Sequence, residues 1–122
     1  MKALITGFTG MVGSHLADYL LENTNWEIIG MVRWRSPLDN IRHLIDRINK
    51  KDRVTLEYAD LNDTMSLMYI LEKHKPDYIF HLAAQSYPKT SFESPLDTYK
   101  TNILGTANLL ESLRKIEIDP II

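Results

Sequence analysis

Three glycines at intervals of three residues, placed directly after a short apolar run, constrain this chain more than any other feature. Gly7 allows a tight turn out of the strand-like segment 3–6, Gly10 lets the backbone approach a pyrophosphate, and Gly13 allows close helix packing. A helical pattern over residues 11–22 follows, and a helix N-terminus offers free N–H groups to phosphate. Outside this strand–turn–helix context the glycines would mark only a turn. The context predicts a dinucleotide-binding loop that contains Gly7, Thr9, Gly10, Met11, Val12 and Gly13.

Apolar patterns of strand and helix alternate along the rest of the chain. Strand-like runs cover residues 26–32, 54–58 and 78–82, and helical periods cover 37–48 (with Ser36 as cap), 67–74 and, after a loop with Pro88 and Pro95, 96–115. This alternation predicts an α/β fold, a Rossmann-type parallel sheet with helices on both faces and strand order 3-2-1-4. Residues 120–122 resemble the start of a fifth strand. We therefore expect residues 1–122 to form a partial N-terminal domain that is truncated at that point.

Bulk composition excludes several functional classes. The net charge of -2 provides no basic surface for nucleic acid or an anionic membrane. The absence of cysteine excludes disulfides and thiolate metal sites, and the four histidines do not show metal-ligand spacing. No apolar run reaches the ~18 residues of a membrane helix. We expect a cytoplasmic protein without a metal site and without nucleic-acid or membrane partners.

The end of the second strand bears on the choice of dinucleotide. In Rossmann folds a carboxylate about 20 residues past the glycines usually binds the adenosine ribose and selects NAD. Here no carboxylate occurs before Asp39, and Arg33 and Arg35 occupy the region. Arginine binds a 2′-phosphate by bidentate charge-assisted bonds, and Ser36 adds a hydroxyl donor, so we predict NADP over NAD. The alternative is a pair of solvated loop arginines. Trp34 could stack on adenine or pack against the protein.

These residues and three further segments resemble the extended short-chain dehydrogenases, the NAD-dependent epimerase/dehydratase family, over the N-terminal part of such enzymes. The further segments are Asp60-Leu61, residues 81–84 (His-Leu-Ala-Ala) and residues 101–106 (Thr-Asn-Ile-Leu-Gly-Thr). Residues 32–36 and 82–86, with 89 and 91–92 behind them, are most similar to the GDP-mannose 4,6-dehydratase branch. Trp34 separates two arginines that are adjacent in that branch, and Met11-Val12 replaces its Gln-Asp. These departures leave open a GDP-4-keto-6-deoxymannose reductase or a CDP-glucose dehydratase.

The resemblance implies roles for further cofactor-binding residues. Asp60 would bind the adenine amino group, with Leu61 against the ring, although an acid there could also serve a turn or cap a helix. Asn102 would tie the last helix to the loops around the site through its amide. Leu82, Ala83 and Ala84, at the end of the fourth strand, would line the nicotinamide-side ribose and the pyrophosphate, or alternatively serve close strand–helix packing. Gln85 and Ser86 would face the junction of cofactor and substrate.

The resemblance also implies a lyase of nucleotide-sugar metabolism. The full enzyme would convert GDP-mannose into GDP-4-keto-6-deoxymannose by NADP-dependent hydride transfer and elimination of water. Its acid/base is the tyrosine of a Tyr-x-x-x-Lys pair. Only Tyr69 and Lys73 have this spacing, and we interpret them as a chance match on the helix before the fourth strand. We therefore expect no catalytic residue in this chain, an absent substrate domain and no activity from these 122 residues alone.

Two questions stay open on the sequence. Besides the dehydratase, the chain could belong to another sugar-nucleotide epimerase or reductase of the same family, or to a non-catalytic module that senses NADP. The resemblance implies a homo-oligomer for the full enzyme. A helical stripe in the last helix could form the subunit interface or pack on the sheet: Tyr99, Ile103, Thr106, Leu110 and Leu113.

Overall fold

The computed structural model describes the whole chain, from Met1 to Ile122. Its four strands are all parallel and lie in the order β3-β2-β1-β4, as the alternating pattern predicts. Leu4, at the centre of β1, is in register with Ile29 on one neighbour and Ile79 on the other. The strands are β1 (Lys2–Thr6), β2 (Glu27–Val32), β3 (Val54–Tyr58) and β4 (Tyr78–His81).

Helices connect the strands and continue beyond β4. A 3-10 turn over Asp39–Leu44 precedes the second helix, and a π-helical segment over Lys100–Leu104 joins the last two. No helix has both the length and the apolar character that crossing a membrane requires. The helices are α1 (Met11–Asn23), α2 (Ile45–Lys50), α3 (Thr64–His74), α4 (Pro88–Glu93), α5 (Pro95–Tyr99) and α6 (Gly105–Ile116).

Each face of the sheet carries its own hydrophobic core of 11 buried residues. Successive side chains of a strand point to opposite faces. Ala3 and Ile5 therefore pack with α1 and the 3-10 turn, while Leu4 packs with α3 and α6. Buried side chains such as Leu20 on one face and Leu67 on the other complete the two layers. The prediction of helices on both faces is thus confirmed.

The predicted helix over residues 37–48 is wrong in its first part. Ser36 does not cap a helix; its N–H donates to the carbonyl of Arg33 at 3.0 Å and closes a turn in which Arg35 has a φ of 66°. Leu38 then packs against the α1-side core and Ile41 is completely buried there. These tertiary contacts fix the path of the chain and override the local capping signal, so regular helix starts later.

The segment after β4 contains more helix than the sequence pattern predicts. Pro88 and Pro95, expected in a loop, each occupy the first turn of a short helix, where proline costs no hydrogen bond. The single helix predicted over residues 96–115 is divided into α5, the π-helical segment and α6. The apolar stripe is divided as well: Leu113 is buried in the core, while Tyr99 and Ile103 are exposed.

The chain returns to the sheet after α6. Ile121 forms a parallel bridge to Tyr78 at the free edge of β4. Its N–H donates to the carbonyl of Asp77 at 3.0 Å, and its carbonyl accepts from the N–H of Ile79 at 2.8 Å. This is the position that the predicted fifth strand requires.

Candidate functional site

A cleft of about 500 Å³ lies where the four parallel strands end. The carboxyl ends of parallel strands meet at one edge of the sheet, which is where open α/β sheets bind ligands. Fifteen of the sixteen residues predicted to bind the cofactor line this cleft, and Arg35 alone does not. The fifteen are Gly7, Thr9, Gly10, Met11, Val12, Gly13, Arg33, Ser36, Asp60, Leu61, Leu82, Ala83, Ala84, Gln85 and Ser86.

Arg35 lines a second recess of about 440 Å³ that adjoins the cleft. The two share Arg33, Ser36, Ala59 and Asp60, so the recess continues the cleft beyond the ends of β2 and β3. Trp34 also lines the recess; its side chain is 75% exposed, with its ring edge-on to Tyr58 at a centroid distance of 5.6 Å. Trp34 is therefore not a core residue.

The glycine loop is shaped by contacts that exclude side chains. Gly7 has a φ of 69°, in the left-handed region, and its carbonyl accepts from the N–H of Gly10 at 2.9 Å. A Cβ at Gly13 would lie 2.4 Å from the carbonyl oxygen of Gly7. The first turn of α1 can therefore approach the end of β1 only because residue 13 lacks a side chain.

The N-terminus of α1 presents unpaired donors to the cleft. The N–H groups of Met11, Val12 and Gly13 have no acceptor in the protein, because the first intrahelical bond beyond them is Ser14 N–H to the carbonyl of Gly10. Gly10, at the cap position, has no side chain that could satisfy them. Such a helix end combines free N–H groups with a partial positive charge, which suits a phosphate.

The charged residues of the cleft and of the adjoining recess differ in whether they already form hydrogen bonds or ion pairs within the protein. Arg33 and Arg35 are exposed and form no ion pair. One carboxylate oxygen of Asp60 accepts from the backbone and side-chain N–H groups of Asn62, at 2.8 and 3.2 Å. Asp60 thus stabilises a turn, which was the alternative to a role in adenine binding, and it also lines the cleft.

The backbone after β4 is held against the glycine loop. The N–H groups of Leu82 and Ala83 both donate to the hydroxyl of Thr6 at 3.0 Å. A Cβ at Gly7 would lie 2.9 Å from the backbone nitrogen of Ala83. The small residues at this place therefore serve close packing and line the cleft at the same time.

Asn102 makes the connection that the family resemblance implies. Its amide accepts from the N–H of Gln85 at 2.8 Å and donates to the carbonyl of the same residue at 3.0 Å. The Gln85 side chain donates to the hydroxyl of Thr98 at 3.2 Å and thereby contacts α5. The loop after β4 is thus fixed to α5 and to the π-helical segment.

Sequence reasoning missed six residues that line the cleft. Three of them end β2 or directly follow β3, and parallel strand ends could have indicated them. Thr101 belongs to the family-like segment 101–106 but was given no role, and Asp97 on α5 carried no signal in the sequence. The six are Met31, Val32, Ala59, Asn62, Asp97 and Thr101.

The Tyr69 and Lys73 pair lies on the outer surface of α3. The tyrosine is 63% exposed, the ammonium of Lys73 donates to Glu57 at 2.7 Å, and neither residue lines the cleft. The ammonium lies 5.6 Å from the centre of the tyrosine ring. This placement agrees with the interpretation of the spacing as a chance match.

Comparison with known proteins places the chain in a family. The family model described as GDP-mannose 4,6 dehydratase matches residues 4–122. The GDP-mannose 4,6-dehydratase of Vibrio cholerae is 40% identical over 97% of this chain and 32% of its own length. The dTDP-glucose 4,6-dehydratase of Escherichia coli is 36% identical over 94% of this chain and 31% of its own.

Solved structures show the same fold. The UDP-glucose 4-epimerase of Thermus thermophilus, solved in complex with NAD, superposes with a TM-score of 0.80 at 28% identity, over 98% of this chain and 35% of the epimerase. The chain spans about a third of the length of these relatives. With its sheet order, its glycine loop and a family model that covers all but its first three residues, the chain belongs to the GDP-mannose 4,6-dehydratase family of nucleotide-sugar dehydratases and epimerases.

Proposed function

We propose that the chain is the NADP-binding part of a nucleotide-sugar 4,6-dehydratase, a lyase that converts GDP-mannose into GDP-4-keto-6-deoxymannose. The observation that carries the proposal is the cleft, which gathers the glycine loop, the ends of β2 and β3 and residues 82–86 along one edge of the sheet. A dinucleotide needs a site with a phosphate-binding centre between two nucleoside ends, and these three groups of residues supply those parts. The V. cholerae and E. coli relatives support the reaction class.

The residues of the cleft fit a dinucleotide. The unpaired N–H groups of residues 11–13 would hold the pyrophosphate, and Asp60 and Leu61 would face the adenine. The nicotinamide end would lie along residues 82–86, where the bound cofactor supplies a hydride acceptor. The NAD complex of the T. thermophilus epimerase supports a nicotinamide dinucleotide in general. The preference for NADP rests on Arg33, Arg35 and Ser36.

Titration calorimetry with NADP and NAD tests this preference. We expect NADP to bind more tightly, and Arg33→Ala to weaken NADP binding by about 1.5–3 kcal/mol, roughly tenfold to a hundredfold, since a charge-assisted bond to the 2′-phosphate is lost. NAD binding should hardly change. Arg42→Ala is the matched control, because Arg42 is an exposed arginine that pairs with Asp39 outside the cleft. Equal affinity of the unmodified chain for NADP and NAD would refute the preference.

We place the catalytic Tyr-x-x-x-Lys pair and the substrate domain outside residues 1–122, since no such pair lines the cleft. The 122-residue chain should therefore bind NADP without converting GDP-mannose. Incubation with NADP and GDP-mannose, followed by chromatography of the nucleotide sugars, measures this. A keto-sugar product formed at a rate proportional to the chain concentration would contradict the placement.

A second candidate is a dehydratase or epimerase that acts on another nucleotide sugar, supported by the 36% identity to the dTDP-glucose enzyme. A protein that contains this chain together with a substrate domain should discriminate between GDP-mannose and dTDP-glucose. Turnover of dTDP-glucose alone would favour the second candidate. NADP binding without turnover of any nucleotide sugar would favour a non-catalytic, NADP-sensing module instead.

A further inference from the structure

His81, the last residue of β4, lies between two threonine hydroxyls beneath the cleft. Its Nδ1 is 2.9 Å from the hydroxyl of Thr6 on β1, and its Nε2 is 3.0 Å from the hydroxyl of Thr106 on α6. Neither threonine lines the cleft, and neither does His81. The ring therefore connects β1 to α6 through side chains that do not themselves line the cleft.

The donors and acceptors around Thr6 determine which ring nitrogen carries the proton. A hydroxyl has two acceptor lone pairs and one proton. Both lone pairs of Thr6 are occupied by the N–H groups of Leu82 and Ala83, so its own proton must be donated to Nδ1 of His81. Nδ1 is therefore an acceptor without a hydrogen.

The opposite side of the ring follows from this assignment. A neutral imidazole whose Nδ1 accepts carries its hydrogen on Nε2, which then donates to the Thr106 hydroxyl. That hydroxyl in turn donates to the carbonyl of Asn102 at 2.7 Å. The side chain of Asn102 holds Gln85 at the cleft. One directed chain of hydrogen bonds thus runs from Leu82 and Ala83 through His81 to Asn102.

We infer that His81 is a positioning residue of the cleft, which in its neutral Nε2–H form fixes residues 82–85 between β1 and the π-helical segment. A proton on Nδ1 would turn that nitrogen into a donor. Thr6 could accept from it only by releasing the N–H of Leu82 or Ala83. Charging the ring therefore loosens the backbone that lines one end of the cleft. The consequence for dinucleotide binding rests on the proposed function.

The surroundings of the ring agree with a neutral state. The groups that face it from β1 and α6 are the uncharged hydroxyls of Thr6 and Thr106, and the ring forms no ion pair with a carboxylate. Burial lowers the pKa of His81 below the ordinary histidine value. By contrast, His43 and His74 each pair with a carboxylate.

Nitrogen-15 NMR of the imidazole rings in the 122-residue chain tests the inference directly. At about pH 7 we expect His81 to show an unprotonated Nδ1 and a protonated Nε2. The backbone amide resonances of Leu82 and Ala83 should shift on acidification with the same midpoint as the ring, and amides of β2 should not. An Nδ1–H tautomer, a charged ring at neutral pH or a different midpoint for these amides would overturn the inference.

Two variants separate positioning from a general effect on folding. In His81→Gln the acid transition of the Leu82 and Ala83 amides should disappear. Thr106→Ser, which keeps the hydroxyl acceptor, should retain the tautomer and the transition. If the transition persists in a folded His81→Gln chain, the inference is overturned. If that variant does not fold, the tautomer and the midpoints measured on the unmodified chain decide. All of these measurements are made without a dinucleotide. A result that overturns the role of His81 would therefore leave the proposed NADP binding untouched, and a failure to bind NADP would leave the role of His81 untouched.

Discussion

At the scale of single residues, position 13 is controlled by one backbone contact. In Gly13→Ala the new Cβ would lie 2.4 Å from the carbonyl oxygen of Gly7 and 3.0 Å from the Cα of Phe8. Both neighbours are backbone atoms, so relief requires α1 to move away from β1. We expect a loss of about 1–3 kcal/mol in the free energy of unfolding, as is usual for overpacking, measured by urea denaturation.

Gly10→Ala is the matched control for this prediction. Its Cβ would approach only the carbonyl oxygen of Gly7, at 3.1 Å, and residue 10 is exposed at the mouth of the cleft. We expect a smaller loss of stability than in Gly13→Ala, together with weaker dinucleotide binding, because the methyl group would occupy the space that we propose for the phosphates. Equal losses of stability in the two variants would show that close packing does not explain Gly13.

The sequence was informative about individual residues wherever backbone geometry follows from residue type. The positions of Gly7 and Gly13 could be predicted because only glycine tolerates their contacts. Arg35 is a residue whose position could not be predicted in this way. Its backbone is left-handed and its side chain lines the adjoining recess rather than the cleft, and the identity of an arginine does not predict that conformation. The tautomer of His81 likewise depends on partners that are 75 and 25 residues away in the chain.

At the scale of secondary-structure elements, Asp63 determines where α3 begins. Its carboxylate accepts from the N–H groups of Met65 and Ser66 at 3.1 and 3.4 Å. Asp63→Ala should lower the free energy of unfolding by about 0.5–2 kcal/mol, because those donors lose their acceptor. Asp63→Asn retains an acceptor and should lose much less. Thermal unfolding followed by circular dichroism distinguishes the variants, and an Asn variant as unstable as the Ala variant would refute the capping role.

The strands could be predicted because parallel strands that are covered on both faces are continuous apolar runs. The predicted ends of all four strands agree with the structure to within one residue. The helices of the segment after β4 could not be predicted, because they are short and because their apolar residues, such as Phe92 and Leu96, are exposed without a periodic pattern of burial. Prolines that suggest a loop in sequence begin helices in the structure. Periodicity predicts an element only where one face of it is buried.

The π-helical segment separates a part of the chain that lines the cleft from a part that packs on the sheet. An extra residue per turn shifts the phase of a helix relative to what precedes it. Asp97 on α5 and Thr101 in the π-helical segment line the cleft, while Leu109 and Leu113 on α6 are buried in the core on one face of the sheet. A regular α-helix through the same residues would present the two sets with a different relative rotation about the helix axis.

At the scale of the whole molecule, acid stability should depend on Glu57. Burial raises the pKa of this carboxyl, but hydrogen bonds from Lys73 and His74 outweigh burial, so that the pKa lies below its ordinary value of 4.5. The folded state therefore favours the carboxylate, and this contribution is present above pH 4.5 and is lost as the pH falls through the folded-state pKa.

The free energy of unfolding measured against pH tests this dependence. Glu57→Gln should lose stability near neutral pH and show a flatter decline below about pH 4.5 than the unmodified chain. Glu22→Gln, which changes an exposed carboxylate outside any ion pair, should leave the curve unchanged in shape. A Glu57→Gln curve parallel to that of the unmodified chain would refute the assignment.

The cleft joins parts of the chain that are far apart in sequence, from Gly7 to Thr101. A ligand that spans it would act as a reversible cross-link between the loops that follow all four strands. At about a thousand times its dissociation constant such a ligand adds about 4 kcal/mol to the free energy of unfolding. Proteases that cut these loops after local opening should therefore be slowed at every loop together, even at loops that touch only one end of the ligand.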